Sequence, residues 1–99
     1  MVKLVVGYGT PDDPAAFDAH YESTHRPLAE AIPGLRRFEA GKVLGTPDGT
    51  EPPFYFLAEL WFDDPGALQT AMATDEGQAA GADVANFASG GAQLMIAQA

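Results

Sequence analysis

Ninety-nine residues form one domain and leave no room for a separate cofactor-binding unit, while 46 % hydrophobic against 19 % charged residues supports a packed core and excludes disorder. Fourteen acidic against five basic side chains give a net charge of −9, which repels phosphate backbones and anionic lipid, so nucleic acid and membrane surfaces are excluded as partners. The absence of cysteine removes disulfides, thiolate nucleophiles and Cys-based metal sites.

Val2 to Tyr8 is a run of β-branched and aromatic residues closed by Gly9-Thr10-Pro11, and it reads as a buried first strand. It is too short for a signal peptide, and no stretch reaches the ~18 apolar residues of a membrane span, so a cytoplasmic protein is expected. Asp12-Asp13-Pro14 starts a helix, with Asp13 as cap and Pro14 in the first turn. Phe17, Tyr21 and Leu28 keep helical spacing, but Pro27 disfavours helical geometry at Arg26, which predicts a break or kink around His25 to Pro27. A short second turn then runs to Ile32 and stops at Pro33-Gly34.

Leu35 to Leu44 alternates charge with apolar residues as an edge strand does, and Gly45 to Pro53 is a polar loop. Phe54 to Phe62 is the clearest strand. Asp63-Asp64-Pro65 repeats the earlier Asp-Asp-Pro helix start and opens a helix carrying Leu68, Ala71 and Met72. Thr74 caps a further helical stretch through Ala79, Ala80, Asp83 and Val84, and Gly90-Gly91 turns the chain into a last strand, Ala92 to Ala97, with Leu94 and Ile96 on one side. The order βαββαβ, with its two similar halves, is the ferredoxin-like α+β arrangement: a four-stranded antiparallel sheet with helices on one face.

Alternation along the third strand places Phe54, Phe56, Ala58, Leu60 and Phe62 on one face and Tyr55, Leu57, Glu59 and Trp61 on the other. The chain's helices can cover only the first set. Tyr55, Leu57 and Trp61 left in water would forgo roughly 1.5–3 kcal/mol each, so a homodimer stacking its open faces is expected. Two such sheets would enclose a small-molecule pocket lined by Tyr55, Leu57, Glu59 and Trp61, or these side chains would interdigitate and fill the gap. Glu59 needs a partner in a packed joint, and Lys3 or Arg37 can supply it.

His25 is the candidate acid or base; the alternative is an imidazole satisfied by a backbone carbonyl at a helix end. Tyr21, four residues earlier, shares its face either as a hydrogen-bond donor or as a core residue. His20, five residues before His25, falls elsewhere around a regular helix, and a protein-built metal site is not expected. Gly7-Tyr8-Gly9 lacks the longer phosphate-binding fingerprints, and no serine sits in a G-x-S-x-G elbow.

Gly7-Tyr8-Gly9 with Pro11, Asp13-Pro14-Ala15-Ala16-Phe17, His20-Tyr21, Thr24-His25-Arg26-Pro27-Leu28, Pro33-Gly34-Leu35, Gly77 to Val84, Asn86-Phe87 and Gly90-Gly91 together resemble the EthD family of the dimeric α+β barrel superfamily. The resemblance spans nearly the whole chain and implies a paired barrel, a bacterial protein and the label of an EthD-type reductase or oxidoreductase. Related barrels include cofactor-free monooxygenases, lactone isomerases and polyketide cyclases, which share a hydrophobic cleft with a few polar groups. By that likeness His25 enters the site. Two readings follow: a cofactor-independent oxidoreductase or isomerase acting on a small cyclic or aromatic compound, or a non-catalytic ligand-binding or accessory protein of a degradative oxygenase system. A haem-binding barrel with a histidine axial ligand is a more distant third.

Overall fold

The computed structural model describes all residues from Met1 to Ala99. The elements are β1 (Val2–Tyr8), α1 (Pro14–His20), a π-helical turn (Tyr21–His25), α2 (Arg26–Glu30), β2 (Arg37–Lys42), β3 (Phe56–Phe62), α3 (Pro65–Ala73), α4 (Asp75–Phe87) and β4 (Ala92–Gln98). The sheet order is β2-β3-β1-β4 with every neighbouring pair antiparallel, the ferredoxin-like topology expected from the sequence. No helix is long and apolar enough to cross a membrane.

Both halves use the same capping chemistry. Asp13 Oδ1 accepts from Ala16 N at 3.1 Å and Asp64 Oδ1 from Ala67 N at 2.7 Å, each with proline in the first helical turn. Thr74 Oγ1 accepts from Gly77 N at 3.0 Å and starts α4 directly behind α3.

The core lies between the helices and one face of the sheet. Leu4, Val6 and Tyr8 of β1 and Phe56, Ala58, Leu60 and Phe62 of β3 pack against Phe17, Tyr21, Ile32, Leu68, Ala71, Ala80 and Phe87. The period-two alternation read from β3 therefore holds from Phe56 onward. It fails one step earlier, because β3 starts at Phe56 and not at Phe54. A Cβ added to Gly7, whose side faces away from the helices, would meet the Phe54 ring at 2.7 Å, so Phe54 lies over the open face. Tyr55 takes the opposite side: its ring meets Phe17 edge-on at 5.3 Å and its hydroxyl donates to Asp18 of α1 at 2.8 Å. The two residues have exchanged the faces that strict alternation assigns them.

The break or kink predicted around His25 to Pro27 is a change of register and not a break: the α-helix is interrupted by the π turn, and the chain stays helical through it. Arg26 keeps right-handed helical angles (φ −55, ψ −47), and its N–H bonds to Tyr21 O, five residues back. Widening the turn from i→i+4 to i→i+5 lets the helix pass Pro27, which donates no N–H and opens α2. β2 is also shorter than the expected Leu35 to Leu44, and β4 runs one residue beyond Ala97.

On the open face, Lys3 Nζ pairs with Glu59 Oε2 at 2.7 Å, which supplies the partner Glu59 requires. Lys3 and Arg37 both lie over the Trp61 ring, at 5.4 and 4.9 Å from its centroid.

Two glycines of α4 separate packing from propensity. A Cβ at Gly77 would run into Ala71 O and Met72 Cα of α3, whereas one at Gly81 meets nothing. Gly77→Ala is therefore expected to destabilise by about 1–3 kcal/mol, and Gly81→Ala to stabilise by about 0.5–1 kcal/mol. Urea denaturation of the two variants measures both; equal and opposite-to-expected shifts would refute this account of the α3–α4 contact.

Candidate active site

The two histidines and a carboxylate meet on the helix side of the sheet. α4 buries Gly77, Ala80, Asp83 and Phe87 along one stripe, so Asp83 is carried inward with the apolar residues and is 7 % exposed. Its carboxylate accepts from His20 Nε2 at 3.0 Å to each oxygen, from His25 Nδ1 at 3.0 Å to Oδ2, and from Asn86 Nδ2 at 3.0 Å to Oδ1. The expectation that residues 20 and 25 sit apart is corrected here. In an α-helix five residues span about 140° around the axis, but a turn closed by i→i+5 bonds stacks them, and both imidazoles reach one carboxylate.

Aromatic packing fixes this cluster. Phe87 stacks on His20 at 5.2 Å and touches the His25 ring at 4.8 Å, and Tyr21 flanks His25 at 5.1 Å. Burial disfavours charge on His25 and outweighs the pull of Asp83, so its pKa lies below the usual 6.5, with the nearby His20 adding to the depression. Burial alone would raise Asp83, yet the bonds from Asn86, His20 and His25 win and hold it below its usual 3.8. With Asp83 ionised, His25 donates through Nδ1, and its Nε2 carries the lone pair.

A slot of about 80 Å³ runs between the sheet and the helices beside this cluster. His25, Tyr21 and Tyr8 give it polar atoms; Phe38, Met72 and Leu94 are among its apolar walls. The Tyr21 hydroxyl is fully buried, and the Tyr8 hydroxyl lies beside it, close enough to affect it but without good hydrogen-bond geometry. Burial raises the pKa of both Tyr21 and Tyr8 well above the ordinary phenol, so both remain protonated donors.

The residues singled out from sequence thus divide between two places. His25 and Tyr21 line the slot. Leu57, Glu59 and Trp61 lie across the sheet on the open face, paired with Gly7, Val5 and Lys3 of β1. Tyr55 belongs to neither, being bonded to Asp18, whose other oxygen pairs with Lys42 at 2.6 Å. His25 bonds a carboxylate, not the backbone carbonyl considered as its alternative. Sequence reasoning missed Asp83, Asn86 and Tyr8 as site residues. One signal was available: Asp83 is an acid three residues after Ala80 and four before Phe87, on the apolar stripe of its helix.

The EthD domain family matches residues 10–91 of the chain. An uncharacterized 11.0 kDa protein of Rhodococcus erythropolis, from the thcB-thcC intergenic region, is 48 % identical over 96 residues, covering 97 % of this chain and 92 % of its own. An ethyl tert-butyl ether D (EthD) family protein of Bacillus halodurans has a crystal structure with TM-score 0.92 and 46 % identity, covering 100 % of this chain and 98 % of that one. At lower identity the fold alone is shared. SnoaB of Streptomyces nogalater, a cofactor-independent oxygenase, aligns with TM-score 0.69 and 15 % identity over 99 % of this chain and 91 % of its own. A dimeric ferredoxin-like protein of unknown function from Thermobifida fusca aligns with TM-score 0.72 and 18 % identity over 98 % and 90 %.

The pKa directions fix the sign of the stability change with pH. His25 binds a proton less readily folded than unfolded, so its contribution is complete above 6.5 and is lost as pH falls toward the lower folded value. Asp83 contributes fully above 3.8 and loses its share only below that. The urea midpoint is expected to be lower at about pH 5.5 than at about pH 7.5, and His25→Gln to remove part of that difference. A difference undiminished in His25→Gln would place the titrating group elsewhere.

Proposed function

The chain belongs to the EthD domain family, and from that premise we propose that it binds a small, neutral, largely apolar cyclic or aromatic molecule in the slot and exchanges a proton with it through His25. The observation that carries this reading is the pair of buried phenols, Tyr21 and Tyr8, that line the slot with an imidazole whose far nitrogen is committed to Asp83. Two phenols have two protons to donate and at most one of them can go to the other phenol, so the remaining donor fits a ligand oxygen that accepts from it. A neutral ligand fits best because Arg26, the cation stacked on the Tyr21 ring, is already paired with Glu22.

In this reading His25 Nε2 takes a proton from a carbon or hydroxyl of the ligand. The negative charge that develops is shared onto the oxygen held by Tyr21, while Asp83 steadies the imidazolium. An isomerase returns the proton to another atom of the same molecule. An oxidoreductase passes the electron pair to an external acceptor such as dioxygen, and neither step calls for a bound cofactor. A second reading, ligand binding without turnover, is favoured by the slot's volume of about 80 Å³, well below that of most ligand sites.

A panel of neutral cyclic ketones and phenols in deuterated water tests both. Tyr21→Phe is expected to weaken binding about tenfold while costing the free protein no more than about 1.5 kcal/mol, the worth of its contact with the Tyr8 hydroxyl. His25→Gln is expected to keep affinity within a few-fold and to abolish deuterium incorporation into the bound ligand. Incorporation unchanged in His25→Gln removes His25 as the acid-base group; none in either protein leaves the binding reading.

The open face is assigned to a second copy. Phe54, Leu57 and Trp61 continue there with Val5 and Met95, and no helix of the same chain covers them. A two-fold pair stacking these faces buries them and sets the Lys3–Glu59 pairs at the joint. Trp61→Glu is expected to sediment as a monomer that still folds, against a dimeric parent; a monomeric parent would dismiss the pairing.

A further inference from the structure

We infer that His20 is a positioning residue that sets the charge of His25: the two imidazoles share the single Asp83 carboxylate and hold one excess proton between them. This rests on the reading of His25 as the acid-base group. A lone Asp–His pair would already fix the His25 tautomer, and Asn86 already fixes the carboxylate. The added imidazole is brought in only because the backbone adopts a π turn, and it bonds both carboxylate oxygens.

The two histidines face different surroundings. His25 is 5 % exposed, against Tyr21 on its own turn, Tyr8 on β1 and Asp83 on α4. The His20 side chain is 28 % exposed and lines an outer groove of about 310 Å³ with Asp12 and Asp13 before α1, Asn86 on α4, and Ser89. The remaining charges nearby, Glu22 and Arg26, neutralise each other. One buried carboxylate balances one imidazolium, and two positive rings on it repel.

The proton accounting follows from that limit. Before reaction the excess proton is assigned to the more exposed ring, His20, which lines the groove, and the buried His25 is neutral. When a ligand proton moves to His25 Nε2, the new positive charge falls beside Asp83, and His20 releases its Nδ1 proton to water in the groove. The ligand bond to hydrogen breaks, the N–H bond on His25 forms, and the N–H bond on His20 breaks. Total charge is conserved, and no proton has to cross the carboxylate. A proton taken in the closed slot is thereby matched by one delivered outside it.

Carbon-13 NMR titration of both imidazole rings tests this in the parent, in His20→Gln and in His25→Gln. Because His20 takes the first proton while His25 is neutral, coupling predicts that the His25 midpoint rises by about one pH unit in His20→Gln, whereas the His20 midpoint changes little in His25→Gln. That asymmetry follows from the order of protonation, and a merely structural His20 would not impose it. The parent alone gives the same answer if a variant fails to fold: coupled rings each show two steps at shared midpoints. Independent single steps, or an unmoved His25 midpoint, overturn the inference. A raised His25 midpoint in His20→Gln with deuterium incorporation intact in His25→Gln upholds the coupling and rejects the acid-base reading; lost incorporation with an unmoved His25 midpoint does the reverse.

Discussion

Asp83 is a carboxylate carried into an apolar layer by the same helical stripe that buries Ala80 and Phe87, and its burial is tolerable only because three donors converge on it. Much of the surrounding architecture serves those donors. The π turn rotates His25 onto the face of His20, Pro27 is accommodated by the same widening, and Phe87 packs against both rings. Removing the carboxylate would leave two imidazoles crowded together with no acceptor, in a part of the core that holds no other charged group.

That arrangement gives the sheet two unlike faces. Toward the helices, large aromatic side chains pack edge-on around Tyr8 and Phe17 and leave a slot whose polar atoms come from His25 and two phenols. Away from the helices, apolar side chains surround one ion pair and a tryptophan with a cation over its ring. A surface of the second kind suits a partner of the same shape. A cavity of the first kind suits a small ligand, since its walls are largely apolar and its polar side chains are an imidazole and two phenols.

The topology was legible because each element carried its own punctuation. The Asp-Asp-Pro repeat at 12–14 and 63–65 marked both helix starts, and alternation from Phe56 to Phe62 identified the core strand and its two faces. The misread positions are those where tertiary geometry overrides a local period. Phe54 and Tyr55 lie outside the regular β3 register, and although the Tyr55 backbone still bonds Tyr8 O and Val43 N, its hydroxyl gains an acid on α1 by turning inward. Pro27 signalled a broken helix, which is what a one-residue rule predicts at an α-helical register. The chain answers with a different register, and no local signal distinguishes a π turn from a break. His25 and Tyr21 were found through chemical type, whereas Asp83 was hidden among helix-forming alanines until the fold put it beside them.

The placement of the slot also bears on how pairing and chemistry relate. Had the open face held the ligand, loss of the partner would dismantle the site, because half its walls would leave. With His25, Tyr21 and Asp83 on one chain and on the helix side, each subunit owns its full polar set. A second sheet stacked on β1 and β3 would lie behind the slot floor of Leu4, Val6, Ala58 and Leu60 and would add no polar group to it. Leu94 and Ile96 of the edge strand β4 remain 60 % and 58 % exposed on the helix side, although the strand itself pairs with β1 from Ala92 to Gln98. The slot is therefore bounded at that edge by one exposed side chain, Leu94, on a fully paired strand, and the carboxylate cluster is held by the helices and not by that edge.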